Sequence, residues 1–152
     1  MANRKQALDD LLSPEGVVCH GEEETIQLGL DFALHQNPPL VVSLEGTLGA
    51  GKTQFSKGLV KGWGCDTEAS SPSFAIVHEY TGAKVPVFHF DFYRLESMEE
   101  LVATGYDDCL GEGFVIAEWG DKFPVALPSG SLRLRFEILP DNGRRIQATP
   151  QP

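Results

Sequence analysis

At 152 residues the chain has the length of one folding unit with one hydrophobic core. Hydrophobic residues make up 41% and charged residues 22%, with nine Phe and two Trp, a composition that excludes a disordered chain. The 22 acidic against 12 basic side chains give a formal charge of -10, which excludes a general binder of nucleic acid or anionic membrane.

Residues 1–15 show little periodicity and are expected to fray. Val17 to His20 reads as a short strand. An acidic helix start follows at Glu22, Glu23 and Glu24, where carboxylates suit the positive helix end. Ile26, Leu28, Leu30, Phe32 and Leu34 make this helix too apolar for one stripe, so it is buried, and Asn37-Pro38-Pro39 stops it. Leu40 to Leu44 is a nearly continuous apolar run, the pattern of a strand covered on both faces of a parallel sheet. Phe55 to Trp63 continues as a helix ended by Gly62 and Gly64.

Phe74 to Tyr80 and Val85 to Phe90 are strand-like and joined by Thr81-Gly82-Ala83-Lys84, a hairpin spacing that makes the pair antiparallel. Ser97-Met98-Glu99-Glu100 has capping-box spacing and predicts a helix from Met98 to about Thr104, stopped by Gly105. Phe114 to Ala117 is a buried strand ending at Glu118. Ser131 to Leu139, the Asp141-Asn142-Gly143 turn and Arg145 to Ala148 close the chain as a hairpin. Between Asp91 and Asp121 lie nine carboxylates and one basic residue, Arg94, a stretch that reads as a solvated face or as a docking or metal surface. Cys19, Cys65 and Cys109 form no C-x-x-C pair and favour a reducing compartment. The first ten residues lack an apolar stretch after their basic residues, and no run of about 18 apolar residues occurs. A cytoplasmic protein is expected.

Gly46-Thr47-Leu48-Gly49-Ala50-Gly51-Lys52-Thr53 matches G-x-x-x-x-G-K-[ST] in full, after a predicted buried strand and before a predicted helix. Such glycines let the backbone turn tightly and bring N–H groups onto phosphate oxygens, with the helix N-terminus adding positive potential. Lys52 would reach the β- and γ-phosphates, and Thr53 would place its hydroxyl on Mg2+. The metal needs a carboxylate beside Thr53. Asp91 and Glu118 both end apolar strands, so one suits a metal contact and the other a water-positioning or sensing role. No N-K-x-D motif reads a guanine base, and Asp108-Cys109-Leu110-Gly111 fits D-x-x-G without a preceding strand. A small-molecule kinase would need an arginine-bearing lid, for which the chain has no spare segment. His89, inside a strand, reads as a hydrogen-bonded structural histidine, and Trp119 fits core packing as well as a nucleotide-adjacent position.

Gly46 to Thr53, Ser71-Pro72-Ser73-Phe74, His89-Phe90-Asp91-Phe92-Tyr93-Arg94-Leu95 and Glu118-Trp119-Gly120, in this order, resemble the bacterial TsaE (YjeE) family over about Glu22 to Arg145. The resemblance implies a single P-loop ATPase domain over 1–152, α/β in class, with a mostly parallel sheet flanked by helices and antiparallel hairpin additions. It implies a Mg-dependent ATPase that joins the TsaB and TsaD proteins and supports threonylcarbamoyl transfer to the adenosine beside the anticodon of tRNAs reading ANN codons. Contact with tRNA would be only indirect, and no membrane is involved. By the family pattern ATP or ADP and Mg2+ are the cofactors. Thr53 and Glu118 hold the metal, Lys52, Asp91 and Glu118 serve catalysis, and Ser71 to Phe74 form a switch-like loop. The nucleotide meets Gly49, Ala50, Gly51, Lys52, Thr53, Gln54 and Trp119, with Glu22 and Arg144 nearby. Thr47, Gln54 and Ser73 depart from the residues common in the family. A nucleotide sensor without catalysis and a small-metabolite kinase remain the alternatives.

Overall fold

The computed structural model describes residues 6, 9–47, 49–67, 69 and 76–149. Seven strands form one sheet: β1 (Val17–Cys19), β2 (Leu40–Gly46), β3 (Val77–Tyr80), β4 (Val87–Asp91), β5 (Phe114–Glu118), β6 (Leu132–Ile138) and β7 (Arg144–Thr149). Their spatial order is β1-β7-β6-β2-β5-β4-β3. β2 runs parallel to both β5 and β6, and β4 runs parallel to β5. The flanks are antiparallel, with β3 on β4 at one side and β7 on β6 and β1 on β7 at the other. The parallel centre and antiparallel additions are those expected from the sequence.

β2 is central because Val41 to Glu45 are buried throughout, so neither face of this strand meets water. Helices α1 (Glu22–Ala33) and α2 (Lys52–Gly62) cover one face of the sheet, where Leu28, Phe32, Phe55 and Leu59 pack on Val42, Leu44, Ile116 and Leu134. The other face, over β4 and β5, is covered by the short helices α3 (Met98–Ala103) and α4 (Tyr106–Cys109) and by two 3-10 turns, Gly120–Lys122 and Pro124–Ala126. There Phe90, Phe92 and Tyr106 meet edge to face. No helix among the described residues is long and apolar enough to cross a membrane.

Several local expectations change. The described part of the first 15 residues is anchored at one point, since residues 9–11 are helical, Leu11 is fully buried and Gln147 donates to the Pro14 carbonyl, while Gln6, Asp9, Leu12, Pro14 and Glu15 are exposed. One apolar side chain with a place in the core outweighs the absence of periodicity. Ser97 caps α3 by accepting from the Glu100 N–H at 3.2 Å, but the Glu100 carboxylate reaches back to the N–H of Glu96 and not to that of Ser97. Asp108 to Gly111, which fits D-x-x-G but lacks a preceding strand, lies in the end of α4 and the turn after it. Of the nine acids from Asp91 to Asp121, seven are exposed; Asp91 and Glu118 alone turn inward.

Candidate functional site

The parallel strands β2, β4 and β5 end at Gly46, Asp91 and Glu118, at one edge of the sheet. β1 and β7 bring His20, Glu22 and Arg144 to the same edge, because Cys19 pairs with Arg144 at the end of β1 and Ile138 pairs with Arg144 at the end of β6. A cleft of about 670 Å³ opens here, lined by Glu22, Gly49, Gly51, Lys52, Thr53, Gln54, Asp91, Glu118, Trp119 and Arg144 among others. Residues spread over more than 120 positions of sequence thus meet at the carboxyl ends of parallel strands, where α/β sheets place ligands.

The turn from β2 into α2 needs glycine. Gly49 and Gly51 have φ of 77° and 102°, a region that side chains with a Cβ rarely adopt. Gly51 is the N-cap of α2 and supplies no side chain to its first N–H groups. Those donors have no partner within the helix, and together with the helix dipole they form a ready anion site. Arg144 fastens this turn from outside, donating from Nε to the Gly49 carbonyl at 3.1 Å. Ala50 does not line the cleft: its methyl is fully buried in the core and its N–H donates to the Thr47 carbonyl.

Lys52 is 5% exposed, donates from Nζ to the Gly46 carbonyl, and holds that ammonium 3.5 Å from the centroid of the Trp119 ring. Burial pulls its pKa below the ordinary lysine value, against the opposing fields of Glu118, Asp121 and Asp91. Trp119 itself has a left-handed backbone, φ 60°, and its ring meets Tyr93 at 4.9 Å. Its N–H donates to the Leu44 carbonyl, which ties the end of β5 to the strand that enters the glycine turn.

Asp91 and Glu118 stand opposite each other in register across β4 and β5. Burial pushes the Asp91 carboxyl up from its ordinary value; the Tyr93 N–H, 2.9 Å away, lowers it again and the Glu118 carboxylate adds to the rise. Glu118 is 4% exposed and accepts from His89 through Oε2 at 2.6 Å. Two carboxylates and a hydroxyl suit a divalent cation that takes only one or two carboxylates and fills its shell with water and phosphate oxygens. Among the described residues no cluster of three or more His, Cys, Asp or Glu could hold a metal by itself. Gln54 Oε1, in the lining, is buried without a hydrogen-bond partner, an acceptor left for a ligand hydroxyl, amino group or water.

Ser71 to Phe74 and Leu48 lie outside the described residues. The described residues of the predicted set otherwise meet in the one cleft, with Ala50 behind it. Thr25, His20 and Asn142 also line it and were not singled out as ligand contacts, and Tyr93 and Arg94, which fit a strand-end cap as well as a catalytic or partner-facing edge, line it too. The connection from His89 to Glu118 was not foreseen either, although alternation puts His89 and Asp91 on one face of β4 and could have signalled it.

A glycine turn feeding an uncapped helix from the central parallel strand, with a lysine at its first position, defines the P-loop class of α/β proteins. A family model described as threonylcarbamoyl adenosine biosynthesis protein TsaE matches residues 19–146. The chain is 38% identical over 107 residues to the tRNA threonylcarbamoyladenosine biosynthesis protein TsaE of Treponema pallidum, covering 70% of this chain and 78% of that one. To the protein of the same name from Bacillus subtilis it is 36% identical over 128 residues, 84% of this chain and 80% of that one. The crystal structure of Bacillus subtilis YdiB superimposes with a TM-score of 0.71 at 30% identity, covering 87% of this chain and 82% of the other. The chain belongs to the TsaE family, whose members are named for tRNA threonylcarbamoyladenosine biosynthesis.

Proposed function

We propose that the protein is a Mg-dependent ATPase that works with the TsaB and TsaD proteins in forming threonylcarbamoyladenosine on tRNA. The observation that carries the reading is the convergence of a buried lysine, an uncapped helix start and two in-register strand-end carboxylates on one cleft. In this reading the N–H groups at the start of α2 bind phosphate oxygens, and Lys52 leaves the Gly46 carbonyl to pair with the β- and γ-phosphates. Thr53 and Glu118 hold Mg2+, and Asp91 orients water beside the γ-phosphate or on the metal. The ion, when bound, neutralises charge that develops on the phosphate oxygens during in-line attack by water. Trp119 and Gln54 flank the nucleotide, and Glu22 and Arg144 close the cleft from the β1 and β7 side.

Turnover by the isolated chain is slow in this reading, because the two arginines that line the cleft, Arg94 and Arg144, are both engaged within the protein, Arg144 with Gly49 and Asn142. The charge of -10 supports a reading in which the partners, and not this chain, hold the tRNA. Co-purification with TsaB and TsaD, with and without ATP, followed by an assay for modified tRNA, tests the reading. ATP-dependent association together with restored modification is the expected result. Modification that proceeds equally well without this chain would contradict it.

A further inference from the structure

His89, Tyr80 and Glu118 form a buried chain across three strands. His89 is fully buried, Glu118 is 4% and Tyr80 6% exposed. The hydroxyl of Tyr80 lies 2.9 Å from His89 Nδ1, and His89 Nε2 lies 2.6 Å from Glu118 Oε2. Register explains the reach: Tyr80 and Val87 are opposite on β3 and β4, His89 faces Ile116 on β5, and Asp91 faces Glu118. His89 therefore extends diagonally to the carboxylate that its own strand neighbour Asp91 confronts directly.

A carboxylate oxygen accepts, so His89 Nε2 is the donor to Glu118, and the Tyr80 hydroxyl, which can donate or accept, pairs with Nδ1 and holds the ring in that orientation. Only Oε2 of Glu118 is used in this way, and the donor supplied by His89 offsets the proximity of two carboxylates in register. Ligating carboxylates are commonly oriented by such outer hydrogen bonds, and their loss weakens metal binding about ten-fold or more.

We propose that Tyr80 and His89 are positioning residues for Glu118, fixing the carboxylate through Oε2 so that its other oxygen is presented to the metal. The inference rests on the reading of Glu118 as a Mg2+ ligand. Tyr80→Phe keeps the ring and removes the hydroxyl that pairs with Nδ1, His89→Leu removes the donor to Glu118, and His89→Gln restores a donor near the Nε2 position.

The test is calorimetric titration of ATP at a series of Mg2+ concentrations and in EDTA, with thermal unfolding as the control for folding. Tyr80→Phe and His89→Leu are expected to raise the Mg2+ concentration needed for half-maximal tightening about ten-fold. Metal-free ATP affinity should stay at the parent value, and His89→Gln should recover most of the loss. On a Glu118→Gln background neither substitution should have a further effect. Should His89→Leu fail to fold, Tyr80→Phe decides. A Mg2+ requirement for Tyr80→Phe equal to that of the parent, while Glu118→Gln abolishes the dependence, overturns the inference alone. A parent whose ATP affinity ignores Mg2+, or a Glu118→Gln variant that keeps the dependence, overturns the metal reading and the inference with it. Independently of metal, the nitrogen-15 spectrum of His89 should show a proton on Nε2, and a ring protonated on Nδ1 alone would contradict the proposal.

Discussion

The ammonium of Lys52 lies 3.5 Å from the centroid of the Trp119 ring while it donates to the Gly46 carbonyl. Both partners belong to the protein, so the lysine is held inside the cleft before any phosphate arrives. Binding of a triphosphate replaces a neutral carbonyl acceptor and an aromatic face with anionic phosphate oxygens, which hold an ammonium more strongly. Trp119 should therefore report the event.

Trp63, the other tryptophan, stacks on Phe114 with centroids 4.0 Å apart and can be replaced by Phe with the stacking retained. In a Trp63→Phe background, ATP is expected to change Trp119 emission saturably. Lys52→Ala is expected to lose that change together with ATP affinity, by about ten-fold or more for one charge-assisted contact. Fluorescence and calorimetric titrations of the same samples check this. Constant Trp119 emission under saturating ATP would mean that the lysine does not move.

The raised pKa of Asp91 predicts a pH-dependent effect of its removal. A carboxyl whose pKa is higher folded than unfolded adds stability below its unfolded value, about 4, and that stability is lost as pH rises through the folded value. Asp91→Asn retains an acceptor for the Tyr93 N–H and removes the charge. Its unfolding midpoint is expected to exceed the parent's near pH 7, with the gain vanishing in acid below about pH 4. Mg2+ should narrow the difference by favouring the ionised parent. Thermal scans across this range decide, and a lower midpoint for Asp91→Asn at neutral pH would contradict the cause assigned here.

Glu45, on β2, accepts from Arg133 Nε at 2.6 Å and Nη2 at 3.0 Å, and its Oε2 also accepts from Ser43. The pair links the central strand to β6 beneath the turn that begins at Gly120. Arg133→Met strands a carboxylate that is 9% exposed and is expected to cost about 2 kcal/mol, less than a fully buried pair because Arg133 is 18% exposed. The denaturant midpoint should fall with an unchanged slope. An unchanged midpoint would show that solvent screens the pair.

Helices α1 and α2 cross through glycine. A Cβ on Gly58 would sit 2.0 Å from the Ile26 carbonyl oxygen, and one on Gly29 would sit 2.3 Å from that of Phe55. Backbone cannot yield at such distances without separating the helices. Gly58→Ala is expected to cost about 3 kcal/mol, read by denaturant unfolding. Because α2 also carries Lys52 and Thr53, ATP affinity should fall with it; a variant of full stability would disprove the close crossing.

The local signals were legible because they are local. The glycine turn, the apolar run of β2 and the strand ends at Asp91 and Glu118 each lie within a few residues of sequence, and the fold brings them together as parallel strands must. Pairings over distance were not legible. Arg133 meets Glu45 across 88 positions with no periodic trace, and His89 meets Glu118 across 29, where the only signal is the alternation that puts His89 and Asp91 on one face of β4. The short helix Tyr106–Cys109 escaped for another reason, since four residues hold no helical period. Leu11 shows the converse limit: a single buried side chain suffices to dock a segment whose pattern is silent.

Phosphate release from Mg-ATP, measured for the chain alone and with TsaB and TsaD, and repeated with Lys52→Ala, tests the proposed activity most directly. Slow release alone, faster release with both partners and none from Lys52→Ala is the expected result. No release under any condition by a parent that binds ATP, or release undiminished in Lys52→Ala, would contradict an ATPase built on this cleft.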